Sequence, residues 1–215
     1  MKKLLFPIFF ISLILTSCTQ HIQNSEDIPQ KLPTQYQKII DMLQNLTNYK
    51  AFANVSYISN KGINNYITTQ IATIDGKYFI EVTDPQNVAG NVTVFDGTYI
   101  YQFNENLNKK VNLGTYDTIE RTSILFTNFI NSYISSGVSN ATESNGRTTL
   151  TINQTPINSY VYTINLTIDE NLTPISLITK DINGNERIVV TYTNFFYNIS
   201  VDEGIFSPFF GDNNY

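Results

Sequence analysis

The sequence predicts a mainly β, α+β domain: a long antiparallel sheet curled into an incomplete barrel and covered by helices. Three observations carry this expectation. The 215-residue chain is rich in isoleucine, threonine and asparagine, with 14 Tyr, 14 Phe and no Trp, a composition that favours strands joined by asparagine-rich turns. Runs of alternating apolar and polar residues are separated by Asp-Gly and Asn-Gly pairs, turns tight enough to force neighbouring strands to pair antiparallel. Two further segments are apolar at helical spacing, and helices laid across the concave face of a curled sheet bury both apolar surfaces.

The chain opens with MKKLLFPIFFISLILTSC. Lys2 and Lys3 form a basic leader, Leu4 to Leu15 an apolar core, and Leu15-Thr16-Ser17-Cys18 fits the lipobox of a bacterial lipoprotein signal. Pro7 interrupts the run, which is shorter than the ~20 residues that span a bilayer. We therefore expect residues 1–17 to be removed and Cys18 to carry the lipid, two or more acyl chains giving stable attachment to the outer side of the cell membrane. The remaining 198 residues carry 11 basic and 18 acidic side chains, a net charge of −7. That balance argues against nucleic acid as a partner and against electrostatic adhesion to anionic lipid. With Cys18 the one cysteine, the domain has neither disulfides nor cysteine metal ligands.

Residues 18–33 are polar, contain two prolines and lack apolar periodicity, as expected of a flexible tether. The domain then runs over 34–215. Thr34 is placed to cap a helix to about Tyr49, with Tyr36, Ile39, Ile40, Leu43 and Leu46 on one face. Strands follow at Ala51 to Ser59, Tyr66 to Ile74 and Lys77 to Thr83, with Asp75-Gly76 as a hairpin turn. Val92 to Phe95 and Thr98 to Phe103 repeat the device around Asp96-Gly97, and Lys110 to Leu113 adds a short strand. A second helix is expected over Asp117 to Ser136, ended by Gly137. Strands resume at Thr148 to Asn153. Tyr160, Tyr162, Ile164, Leu166 and Ile168 then alternate on one face, before strands at Ile175 to Asp181 and Arg187 to Phe196 around Asn183-Gly184.

The inventory leaves little room for catalysis. A serine nucleophile needs a base, most often histidine, and the one histidine, His21, lies in the tether. No HExxH or histidine cluster offers a metal site. Glu81 with Asp84, and Asp202 with Glu203, are the carboxylate pairs a glycosidase would need, but no sugar platform accompanies them. Asp181, Asn183 and Asn185 imitate a calcium loop until Glu186 and Tyr192 break its pattern, leaving a hairpin turn. No catalytic residue, metal or cofactor is expected, and the sequence argues for binding.

The stretch YVYTINLTIDENLTPISLITKDINGNERIVVTYTNFFYNISVDEGIF resembles the LolA-like lipoprotein-sorting superfamily. Asp169, Leu172 and Pro174 match its D-x-x-L-x-P turn, and Asn194 and Phe206 match later positions. The resemblance implies a half-open barrel with helices across its mouth, and is strongest to lipid-anchored clostridial members serving germination. It further implies a sporulation protein that binds an N-acetylmuramoyl-L-alanine amidase and supports its activity on the spore cortex, the zinc belonging to the amidase. Permanent anchoring at Cys18 departs from the soluble carriers, which shuttle acyl chains.

Two functional surfaces are expected. A partner would meet a sheet edge or an exposed aromatic face, with Phe195, Phe196, Tyr197, Phe206, Phe209 and Phe210 as candidates; an edge strand pairing with its own copy would instead give a homodimer. The alternative is a tethered lipid- or lipoprotein-binding carrier. Its cavity would be lined from three strands, by Tyr78, Ile80 and Val82, by Tyr99, Tyr101 and Phe103, and by Tyr160, Tyr162 and Ile164.

Overall fold

The computed structural model describes residues 35–104, 107, 109–115, 119–136, 140–154 and 161–207. Helix α1 (Tyr36–Gln44) leads into a six-strand meander: β1 (Asn48–Ser59), β2 (Gly62–Thr73), β3 (Tyr78–Asp84), β4 (Asn91–Phe95), β5 (Ile100–Asn104) and β6 (Lys109–Gly114). Helices α2 (Ile119–Thr122) and α3 (Phe126–Ser136) follow, then a second meander, β7 (Ala141–Ser144), β8 (Arg147–Asn153), β9 (Thr163–Ile168), β10 (Pro174–Lys180) and β11 (Glu186–Tyr197). A 3-10 turn spans Glu203–Phe206.

All strands join one open 11-stranded antiparallel sheet, ordered β6-β5-β4-β3-β2-β1-β11-β10-β9-β8-β7. The two meanders are zipped at the centre by β1 and β11, where Ala51 faces Phe195 and Val55 faces Val190. Thr193 is the extra residue of a bulge there, opposite the Phe52–Ala53 step, and its hydroxyl donates to the Phe52 carbonyl at 3.0 Å.

The main core lies between the concave face and the helices. Ile39 and Leu43 of α1, and Phe126, Phe129, Ile130 and Tyr133 of α3, pack on Ala51, Val55, Leu150, Leu166 and Val190. Tyr49 ties the layers together, its hydroxyl donating to Gln70 Oε1 at 3.0 Å and accepting from the Phe126 N–H at 3.2 Å. It thereby satisfies one of the orphan donors at the start of α3.

The expected incomplete barrel with covering helices is what the chain forms, with several corrections. α1 ends at Gln44 because Asn48 and Tyr49 already pair with β2 and β11. The expected helix over 117–136 is two helices, since Ser123, Ile124 and Leu125 are all buried and residues about 100° apart around an α-helix do not share one buried stripe; Asp117 and Gly137 lie outside the described residues. Strand β7 is an addition to the expected set: of its residues only Ala141 is buried, so it has no alternation to read. β9 begins at Thr163, and from Ile164 it alternates as expected.

A second, smaller core sits on the outer face. Phe206 packs with Ile71, Val92 and Val94, flanked by Phe79, Phe103, Ile199, Val201 and Ile205. The C-terminal segment thus crosses the back of the first meander as a strap, pinned at its start by Asn198. That side chain accepts from the Thr47 N–H at 2.8 Å and donates to the Asn45 carbonyl at 3.1 Å. Lys77 Nζ and Glu203 Oε2, 2.8 Å apart, close the far end.

The D-x-x-L-x-P turn works through its first and fourth residues. Asp169 Oδ1 accepts from the Asn171 and Thr173 N–H groups, at 2.9 and 2.7 Å. Leu172, at φ 64°, turns its carbonyl to accept the Tyr197 hydroxyl at 2.7 Å. Asp181 does the same for the next hairpin, accepting from Asn183 and Asn185 N–H, each at 2.9 Å, and from Arg187. The loop that imitates a calcium site is an ion-paired turn.

Candidate functional site

β1 to β5 and the α2 segment enclose an open cleft of about 430 Å³ on the concave face. Val55 and Tyr57 of β1, Asn64, Tyr66 and Thr68 of β2, and Ile80 and Val82 of β3 supply one side. Val88, Asn91, Thr93 and Gln102 form the far side, and Arg121 and Ile124 close over it. The inward parity follows from pairing: Thr68 faces Val82, Ile80 faces Thr93, and Thr93 faces Gln102. Apolar side chains therefore line the middle of the sheet, and hydroxyl and amide groups line its β4–β5 wing. Tyr57 and Tyr66 meet edge to face at 5.9 Å. Burial, reinforced by Tyr66, holds the Tyr57 phenol up at about 12 against the opposing pull of Arg121.

Of the expected cavity residues, Ile80 and Val82 line this cleft, while Tyr78 is buried beside Phe95 in the main core at 5.7 Å between rings. Ile164 is also buried in that core. The placement of Tyr99, Tyr101 and Phe103 is corrected by the register: Ile100 pairs with Phe95 and Gln102 with Thr93, so the inward residues of β5 are Ile100, Gln102 and Asn104. Phe103 belongs to the outer core, Lys110 Nζ sits 5.7 Å from the Tyr101 ring centroid, and Tyr99 is exposed. Tyr162 is half-buried and precedes β9; Tyr160 lies outside the described residues.

The candidate partner-binding aromatics separate by face. Phe195 and Tyr197 point to the concave side, where Phe195 stacks on Tyr49 at 5.0 Å and meets Phe126 at 4.9 Å and Tyr197 at 4.8 Å. Phe206 anchors the outer core. Phe196 turns outward and is 48% exposed, and Phe52, on the same face, is 36% exposed. Phe196 pairs with Lys50 in the strand register, and the Lys50 Nζ lies 5.3 Å from the Phe52 ring centroid. Ile67 adds exposed apolar surface on the adjacent strand. Sequence reasoning missed Phe52; the signal was its alternation against Ala51 and Ala53, which marks the face opposite the helices. Phe209, Phe210 and Cys18 lie outside the described residues.

The sheet edges differ. β6 is exposed from Lys109 to Leu113, with Val111 and Leu113 apolar and Lys109 and Lys110 of the kind that discourages edge pairing; β7 is shorter. Among the carboxylates weighed for catalysis, Glu203 pairs with Lys77 and Asp202 Oδ1 caps the Gly204 N–H at 2.9 Å. Among the described residues no group of three or more His, Cys, Asp or Glu is placed to hold a metal ion, and no helix is long and apolar enough to cross a membrane.

Residues 1–206 match a protein-family profile described as sporulation protein YdcC-like. No curated protein matches the sequence. Among solved structures, the fold is similar to that in the structure of the CwlD amidase from Clostridioides difficile in complex with the GerS lipoprotein, the matched GerS chain having 20% identity and a TM-score of 0.50 over 78% of this chain and 98% of that one. It is also similar to an uncharacterized conserved protein from Thermus thermophilus, with 13% identity and a TM-score of 0.50 over 82% of this chain and 95% of that one. The LolA superfamily protein NE2245 from Nitrosomonas europaea aligns with 11% identity and a TM-score of 0.46 over 80% of this chain and 96% of that one. At these identities the likeness is one of fold.

Proposed function

The chain belongs to the YdcC-like sporulation protein family, and from that membership we propose that it is a membrane-anchored, non-enzymatic partner of a cortex-modifying N-acetylmuramoyl-L-alanine amidase. Cys18 carries the lipid and residues 18–33 the tether, placing the domain on the extracytoplasmic side of the membrane that surrounds the cell or the developing spore. The likeness to GerS, solved with the CwlD amidase, supports a protein partner of this class.

The observation that carries the reading is the outward-facing pair Phe52, whose ring lies under the Lys50 ammonium, and Phe196, the register partner of Lys50. Aromatic rings beside a cation on a face the helices leave uncovered have the composition of an interface hot spot. The amidase is assigned to that face. The alternative of an acyl carrier is favoured less, because Thr93 and Gln102 line one side of the concave cleft, polar groups that an acyl chain would leave without hydrogen-bond partners.

The test is a binding titration of the purified amidase against the full chain in mild detergent, with Phe52→Ala and Phe196→Ala separately and together. The double variant should weaken binding by tenfold or more, about 1.4 kcal/mol, with its melting temperature little changed because both rings are exposed. An amidase that is fully active alone and binds no wild-type protein would refute the partnership. Wild-type affinity in the double variant would move the interface elsewhere, and a homodimer through β6, seen by sedimentation and abolished by Val111→Lys, would compete for the assignment.

A further inference from the structure

We propose that Asn145 is a modification site, at which the β7–β8 hairpin deamidates spontaneously in water to an aspartyl or isoaspartyl turn. The reaction favours an asparagine followed by glycine, because the next backbone nitrogen must reach the side-chain carbonyl carbon and a Cβ beside that nitrogen obstructs the approach. The chain has two such pairs, Asn145-Gly146 and Asn183-Gly184. All four residues are exposed, so access to water does not separate them.

The freedom of the attacking nitrogen does. The Gly184 N–H donates to the Asp181 carbonyl at 3.0 Å, and the Asp181 carboxylate accepts from the N–H groups of Asn183 and Asn185, each at 2.9 Å. Bringing the Gly184 nitrogen onto the Asn183 side chain breaks bonds that hold the turn. The Gly146 N–H, by contrast, donates to no described residue. Asn145 and Gly146, at φ 52° and 71°, are the two central residues of a type I′ turn between the register partners Ser144 and Arg147. In such a turn the flanking residues make the ladder bond and the central peptide is left to solvent. The two Asp-Gly turns could close the same ring, but an ionised carboxylate is a poor electrophile. They are also tied, Gly76 N–H to the Thr73 carbonyl at 3.1 Å and Asp96 Oδ1 to the Thr98 and Tyr99 N–H groups at 2.7 and 2.8 Å.

The step balances with water as the co-reactant. The Gly146 nitrogen attacks Asn145 Cγ, a C–N bond forms, the Cγ–Nδ2 bond breaks, and the nitrogen's proton leaves with the amide as ammonia. Water then opens the cyclic imide at either carbonyl, and no group is oxidised or reduced. The product is a carboxylate near Glu170, whose Oε2 lies 3.6 Å from where a Cβ on Gly146 would stand. The isoaspartyl form also adds a carbon to the backbone of a two-residue turn. β7 must absorb both changes, and it is a four-residue edge strand in which only Ala141 is buried. Three strands separate it from β11, so this site and the outer aromatic face stand or fall independently.

The experiment ages the full chain in detergent at neutral pH and, in parallel, in concentrated urea. The two Asn-Gly peptides are quantified by mass spectrometry for replacement of the amide by a carboxylate, and isoaspartate is read with an isoaspartyl methyltransferase. In urea the two sites should react at comparable rates, whereas in the folded chain Asn145 should react about tenfold faster than Asn183 or more, the margin expected when one nucleophile is free and the other held out of line. Asp181→Asn should raise the Asn183 rate several-fold and leave that of Asn145 unchanged. The aged protein should show faster amide exchange at Ala141–Ser144 and unchanged exchange in β1 and β11, a difference that Asn145→Gln abolishes. Equal rates at the two sites in the folded chain, a faster reaction at Asn183, or the same ratio of rates folded and in urea would each overturn the proposal.

Discussion

Replacing Tyr49 by phenylalanine isolates the joint between sheet and helix layers. The ring is fully buried and would keep its contacts with Phe126 at 5.6 Å and Phe195 at 5.0 Å, so Tyr49→Phe opens no cavity. What is lost is one oxygen that donates to Gln70 Oε1 and accepts from the Phe126 N–H. Gln70 is itself fully buried, its Nε2 already donating to Thr68 Oγ1 at 3.3 Å, and the Phe126 N–H is at the start of α3. Each group left buried without a partner costs about 1–3 kcal/mol, partly offset by the phenol that no longer needs desolvating, which gives a net loss of about 2–3 kcal/mol. For a domain of this size about 1 kcal/mol moves the melting temperature by roughly 2–4 °C, so a fall of about 4–12 °C is expected. Differential scanning calorimetry measures it, and amide exchange at Phe126 should accelerate with it. The second variant, Tyr49→Phe with Gln70→Leu, should recover part of the loss, because removing both partners is less damaging than orphaning one. An unchanged melting temperature together with unchanged exchange at Phe126 would refute the claim that this hydroxyl joins the layers.

Tyr192 makes the opposite prediction: its hydroxyl is buried with no hydrogen-bond partner, so Tyr192→Phe should stabilise the domain by about 1 kcal/mol, read as a raised melting temperature, and a lowered one would count against the placement of that ring. Asp181 gives a pH signature. Burial alone would push its carboxyl up, but hydrogen bonds from Asn185, Arg187 and Asn183 outweigh it and lower the pKa to about 2. A carboxyl depressed in the folded state from an unfolded value of about 3.9 contributes stability that is complete above that value and lost as pH falls through about 2. The gap in melting temperature between wild type and Asp181→Asn should therefore narrow from pH 5 to pH 2 and stay constant above it; a gap that does not change across that range would sink the argument.

Much of the architecture was legible because short-range chemistry and long-range packing agree. Asp75-Gly76 and Asp96-Gly97 place Gly76 and Gly97 at φ 102° and 100°, conformations that cost glycine nothing. Asp169 and Asp181 announce their hairpins by side chains that bond their own turns. What was missed involves surfaces that alternation cannot assign. At β5 and the residue before it, Tyr99, Tyr101 and Phe103 form the more apolar set and read as the inward face, yet the strap supplies apolar cover on the outside and the register from Tyr78–Phe95 onward fixes the parity. The consecutive run Tyr78-Phe79-Ile80 was the available signal, since a strand apolar on both faces is covered on both. The cleft was half legible: Ile80 and Val82 come from a clean alternation, whereas Arg121 comes from α2 and Ile124 from the break after it, within a stretch that periodicity read as one helix.

The central pairing of β1 with β11 also sets a timetable. Thr47 and Asn198, joined by hydrogen bonds at this corner, are 151 residues apart in sequence, so at synthesis rates of roughly 5–20 residues per second β1 waits about 8–30 s for its second neighbour to be made. Until then the first meander has an open flank and no strap behind it, and the contacts that would reward its order are distant ones. The sheet is complete only once its last strand and the strap behind it have been made.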